Sequence, residues 1–114
     1  MKNILLVDDD RELSESVANL FDSARFSFRF LEDGTEVGEY ISHNKDLDLV
    51  MLDVNLPSMS GLEVLKEIRE LNENLPVIVV SGFVNTQDAI EAMREGAFEY
   101  LTKPFQVDTL IETV

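Results

Sequence analysis

The chain has 114 residues, the size of one compact domain, and 45% of them are apolar, enough for a core and too many for a disordered chain. It contains no cysteine, which excludes a disulfide framework, a thiol nucleophile and a cysteine zinc site. Its formal net charge of −14 repels nucleic acid and anionic lipid, so binding to neither is expected, and no apolar run is long enough to span a bilayer.

In chain order, Lys2–Val7 (KNILLV) reads as a strand, bounded by three aspartates. Arg11–Ala24 sets Leu13, Val17, Leu20 and Ala24 at helical spacing, with Asp10 as a candidate N-cap. Phe26–Leu31 (FSFRFL) alternates apolar and polar residues, and Gly34–Ser42 is a short helix candidate. Leu47–Asp53 is an apolar strand interrupted by Asp48. Gly61–Asn72 carries Leu62, Leu65, Ile68 and Leu71 as a helical stripe. Pro76–Val80 is a strand introduced by proline, and Thr86–Glu95 is a helix closed by Gly96, where a left-handed cap forms easily. Phe98–Thr102 is a fifth strand, and a fifth helix begins near Phe105.

This alternation implies βαβ units, hence a parallel sheet with helices on both faces. ILLV, LVML and VIVV are nearly continuous apolar runs and belong in the middle of the sheet. The alternating second strand and the mixed fifth fit the edges. The order 2-1-3-4-5 follows, that of the flavodoxin-like (βα)5 sandwich, with residues 1–114 as one domain.

In such a sheet a site forms beyond the carboxyl ends of the strands, where the order reverses between strands one and three. Strand one ends in Asp8 and Asp9 and strand three in Asp53, while Ser81 and Lys103 follow strands four and five. Three gathered carboxylates repel, and a divalent cation removes the conflict. An all-oxygen donor set favours a hard ion, with Mg2+ the best fit. A metal, a lysine and a hydroxyl around a carboxylate suit phosphoryl transfer to Asp53.

At these residues the chain resembles the receiver domain of response regulators in two-component signalling. The matching segments are LLVDDD at 5–10, LVMLDVNLPSMSGLEVL at 49–65, VIVVSG at 77–82 and GAFEYLTKPF at 96–105. The resemblance implies that Asp53 is the phosphoacceptor and that Asp8 and Asp9 bind Mg2+, with the backbone carbonyl of Asn55 completing the shell. It implies that Ser81 and Lys103 hold phosphoryl oxygens, that Tyr100 is an aromatic switch residue acting with Ser81, and that Gly82 leaves room for the phosphoryl group. It also implies a cis Lys103–Pro104 bond and a role for Phe83 in tuning dephosphorylation. The expected partners are a sensor histidine kinase and an output domain or effector, with a homodimer surface on the fourth helix, fifth strand and fifth helix. The segment GAFEYLTKPF is similar to receivers of transcriptional regulators, including the enhancer-binding type. The fifth helix stops about two turns in, which suggests a fragment of a longer regulator. The expected location is the cytoplasm, and the expected role is signalling rather than enzymatic, although receivers assist their own phosphorylation and dephosphorylation.

Other readings compete. A phosphatase resembling haloacid dehalogenases needs an aspartate two residues after the nucleophile, where this chain has Asn55. A flavin carrier needs a Ser/Thr/Gly-rich phosphate loop after strand one, where this chain has three aspartates. A degenerate receiver acting only as a docking module would not need the intact set of Asp8, Asp9, Asp53, Ser81 and Lys103. Met59 and Gly61 are expected to shape the loop before the third helix, and Asp46 and Asp48 to be solvent-facing turn acids. The single histidine, His43, is expected to be an exposed bystander. Outside the switch reading, Tyr100 would be an edge-strand aromatic with a solvated hydroxyl.

Overall fold

A computed structural model describes residues 2–10, 12, 15, 19, 25–54, 56, 59–81 and 86–102, with the backbone alone for Thr86, Asp88 and Thr102. Five strands form one sheet: β1 (Lys2–Val7), β2 (Phe26–Leu31), β3 (Leu49–Asp53), β4 (Val77–Ser81) and β5 (Glu99–Thr102). Their order is β2-β1-β3-β4-β5, and every adjacent pair is parallel. The described helices are α1 (Val37–His43), preceded by a 3-10 turn at Gly34–Glu36, α2 (Gly61–Leu71) and α3 (Thr86–Arg94). These correspond to the second, third and fourth helices expected from the sequence.

The burial of the strands explains the order. All five residues of β3 and all five of β4 are buried, as expected for strands covered on both faces. The edge strand β2 has no fully buried residue. Alternation along the strands divides the core in two. Leu5, Val7, Val50, Leu52, Val77 and Val79 meet Val37 and Ile41 of α1, Val64, Leu65 and Ile68 of α2, and Ala92 of α3. On the other face Ile4, Leu6, Leu49, Met51, Ile78 and Val80 cluster with Phe26, Phe28, Phe30 and Leu101. Glu12, Glu15 and Asn19 are helical and exposed, the polar side of the first expected helix. The apolar positions of that helix, Leu13, Val17, Leu20 and Ala24, lie outside the described residues, as does the fifth helix.

Several element boundaries differ from expectation. Strand β3 begins at Leu49, two residues late, because the preceding loop is tied to the start of β1. There the Asn3 amide donates to Asp48 Oδ2 at 2.7 Å, and Asn3 Nδ2 donates to Asp46 Oδ2 at 3.2 Å. Asp46 and Asp48 are exposed as expected, yet they are fasteners of the loop. At the second helix, Asp33 Oδ1 accepts from the Thr35 amide and hydroxyl, both at 2.9 Å. That Asx turn fixes a 3-10 entry before the α-helix proper. Strand β4 is displaced by one residue, starting at Val77 and taking in Ser81. Strand β5 starts at Glu99 rather than Phe98.

Helix α2 corrects the expected stripe. Its buried residues are Gly61, Val64, Leu65 and Ile68, whereas Leu71 is 42% exposed. At about 100° per residue, Leu62 and Leu71 stand on opposite sides of the cylinder, so a strict three-residue repeat cannot stay on one face. Ser60 caps the helix, accepting from the Glu63 amide at 3.3 Å. Helix α3 ends at Arg94, one residue before the expected Glu95, and is closed as expected by Gly96, with φ +99°. The Gly96 amide bonds to Met93 O at 3.2 Å and the Ala97 amide to Ala92 O at 2.9 Å, the two bonds of a Schellman motif.

Candidate functional site

The register of β1, β3 and β4 assembles the site. Val7 pairs with Leu52 and Asp53 pairs with Val80, so Asp8, Asp53 and Ser81 emerge together at the carboxyl edge of the three central strands. The crossovers from β1 and β3 run to opposite edges of the sheet, which opens the crevice between them. The ladder holds this edge beyond the last paired residues. The Asp8 amide donates to Leu31 O at 3.0 Å, and the Val54 amide donates to Val80 O at 3.0 Å.

Asp8, Asp9 and Asp53 can each present a carboxylate oxygen such that the three lie within 4.8 Å of one another. Their burial is graded: Asp53 is 5% exposed, Asp8 is half-buried and Asp9 is exposed. Asp8 is steadied by a turn in which its Oδ1 accepts from the Asp10 amide at 2.8 Å. Three hard oxygen donors at this spacing fit a divalent cation. The open side at Asp9 leaves room for the waters that Mg2+ keeps, so the donor set and its exposure both suit that ion.

Ser81 is 2% exposed at the end of β4. Alternation places it on the same sheet face as Val79, and Val79 pairs with Tyr100 of β5. Tyr100 packs against the helix-covered core cluster, and its hydroxyl is sealed from solvent with no hydrogen-bond partner among the described residues. The competing reading of Tyr100 as an edge-strand aromatic with a solvated hydroxyl is therefore corrected, because the hydroxyl is buried.

Of the residues implicated by sequence, the structure brings Asp8, Asp9, Asp53 and Ser81 to one edge and ties Tyr100 to the strand that carries Ser81. Asn55, Gly82, Phe83, Lys103 and Pro104 lie outside the described residues. His43 is exposed, in the last turn of α1. It borders a groove with Leu31, Glu36, Glu39, Tyr40 and Asn44, and none of the three clustered aspartates lines that groove. The sequence left two features unmarked. One is the close approach of Gly61 to the backbone of Asp53. The other is Arg69, whose guanidinium closes the end of α3 and which has a lowered pKa because burial strips its solvent.

The response regulator receiver domain model matches residues 4–114. The cell cycle response regulator CtrA of Brucella abortus is 34% identical over 111 residues, which are 97% of this chain and 47% of the relative. The chain thus spans about half the length of the curated relatives it matches. Among solved structures, a response regulator receiver domain protein from Clostridium thermocellum superposes with a TM-score of 0.91 at 30% identity, covering 99% of this chain and 90% of that one. The CheX–CheY–BeF3–Mg2+ complex from Borrelia burgdorferi gives 0.89 at 29% identity, covering 98% of this chain and 85% of that one. Among the described residues no helix is long and apolar enough to cross a membrane.

Proposed function

The chain belongs to the response regulator receiver domain family, and from that premise we propose a phosphorylation switch in which Asp53 takes a phosphoryl group from a sensor histidine kinase in a Mg2+-dependent reaction. The observation that carries this reading is the aspartate cluster. A carboxylate buried at the switch point of the sheet, with an oxygen within 4.8 Å of carboxylate oxygens of two further acids, suits a divalent cation that would offset their repulsion. A Borrelia burgdorferi protein of the same fold was crystallised with BeF3 and Mg2+.

In the proposed step an Asp53 carboxylate oxygen attacks phosphorus in line, a P–O bond forms and the P–N bond to the kinase imidazole breaks. The imidazole nitrogen leaves with the electron pair and takes up a proton. Asp8, Asp9, Asp53 and the Asn55 carbonyl would hold Mg2+. When bound, the ion supplies charge neutralisation at the phosphoryl oxygens. The Ser81 hydroxyl donates to one of those oxygens and the Lys103 ammonium pairs with another. The face shared by Ser81 and Tyr100 carries the change from β4 to β5. From there it reaches α3 and the final helix, the surface that would control an output domain or effector and would serve a homodimer. The domain's own contribution to phosphorylation and hydrolysis serves signalling in the cytoplasm. The resemblance of GAFEYLTKPF to receivers of transcriptional regulators supports a regulator of transcription as the whole.

Intact mass after incubation with Mg2+ and acetyl phosphate tests the reading. The expected result is one hydroxylamine-labile phosphoryl group on the wild type, and none on Asp53→Asn or in excess chelator. Unchanged mass of the wild type would overturn it.

A further inference from the structure

Gly61 opens α2, and its amide donates to Val54 O at 2.8 Å. The helix start lies so close to the end of β3 that a Cβ on Gly61 would collide with the Asp53 carbonyl oxygen and would stand 2.6 Å from Val54 Cα and 3.0 Å from the Asp53 carbonyl carbon. These are backbone atoms, held from the other side by the β3–β4 ladder and by the Val54 amide bond to Val80 O. They cannot yield as the end of a flexible side chain would. The φ of Gly61 is outside the left-handed region, which among the described residues only Gly96 occupies, so the requirement at Gly61 is for space.

We propose that Gly61 is a positioning residue for phosphoryl transfer: its bare Cα makes the first turn of α2 a backstop for the Asp53–Val54 peptide, fixing the direction in which the Asp53 carboxylate points. The inference rests on the reading of Asp53 as phosphoacceptor. A side chain at position 61 moves the peptide that bears the nucleophile, and displacements of about 1 Å are enough to lower an in-line reaction rate by roughly a hundredfold. Gly34 offers the matched control. A Cβ there would meet Val64 Cγ2 at 2.6 Å, Leu56 Cδ1 at 3.2 Å and Met59 O at 3.4 Å, so its three nearest neighbours lie in α2 and the loop before it and not in the Asp53–Val54 peptide.

The experiment compares wild type, Gly61→Ala and Gly34→Ala as intact chains. Phosphoryl uptake from acetyl phosphate at saturating Mg2+ is followed by intact mass and normalised to the folded fraction from circular dichroism. Both variants lose stability, but Gly61→Ala takes up phosphoryl at least about tenfold more slowly than Gly34→Ala per folded molecule. A smaller difference would overturn the proposal. If Gly61→Ala is largely unfolded, all three proteins are compared in trimethylamine N-oxide sufficient to refold it. No uptake by the wild type would overturn the acceptor reading and this inference with it. Equal uptake by wild type and Gly61→Ala would overturn this inference alone.

Discussion

Asp53, at 5% exposure, has lost most of the water that would solvate its charge, and it sits beside two more carboxylates. That placement was legible in the sequence, because a continuous apolar strand ending in a carboxylate points to an interior charge that needs a partner. Tyr100 was less legible. An edge strand reading Glu-Tyr-Leu-Thr does not reveal which of its faces a helix will cover, and the cluster containing Ala92 of α3 covers the tyrosine face. A buried hydroxyl with no partner among the described residues carries a desolvation cost. Tyr100→Phe keeps the packed ring and removes that cost, so it should stabilise the fold by about 1 kcal/mol. The measurement is the urea midpoint at an unchanged denaturant slope. A lower midpoint would show that the hydroxyl is satisfied in solution.

Between elements, Arg69 joins α2 to the end of α3. Arg69 Nε and Nη2 donate to Gly96 O at 3.0 and 2.7 Å, and Nη1 donates to Leu75 O at 2.6 Å and Asn72 O at 3.2 Å. A cation at the C-terminal end of α2 also complements the negative pole of that helix. The carbonyls it serves close α2, the approach to β4 and the cap of α3. Arg69→Met keeps the apolar stem, orphans those carbonyls and should cost about 2 kcal/mol. Lysine should restore little, since it cannot fork between them. Gly96→Ala imposes a Cβ at φ +99°, with the new atom 2.8 Å from Arg69 Nε. The two positions are therefore coupled: in a urea double-mutant cycle the combined loss should fall short of the sum by at least about 0.5 kcal/mol. Strict additivity would show that the guanidinium contributes nothing to the cap. The sequence announced Gly96 through its position after a periodic run. It could not announce Arg69, because an arginine near a helix C-terminus looks the same whether its fork meets water or three carbonyls. The strand starts slipped for a related reason: Asp48 and Asn3 lie 45 positions apart, and their hydrogen bond is visible only once β1 and β3 are paired.

At the scale of the whole molecule, topology was the most legible level. Burial on both faces writes itself into a strand as an unbroken apolar run, and the three such runs are the three inner strands. Helices were read on both faces of the sheet, and the apolar positions of the first expected helix and the whole of the fifth lie outside the described residues. Charge is the other global property. A net charge of −14 sets the compact state against itself, and folding adds to the strain by gathering Asp8, Asp9 and Asp53. A cation that binds this arrangement binds the folded chain and not the unfolded one, in which the three acids are dispersed. Mg2+ should therefore stabilise the fold by mass action, by about 2.7 kcal/mol at a hundredfold excess over its dissociation constant. For a domain of roughly this size that is a rise of about 10 °C or more in melting temperature. NaCl at equal ionic strength screens the general repulsion only and should give a smaller rise. The Asp8→Asn/Asp9→Asn double variant separates the two effects. It should begin more stable than wild type, because like charges have been removed, and it should respond to MgCl2 no more than to ionic strength. Scanning calorimetry of both proteins in the two salts makes the comparison. A wild-type response to MgCl2 equal to its response to NaCl would show that the cluster holds no specific ion, and that its charge is tolerated by some other means.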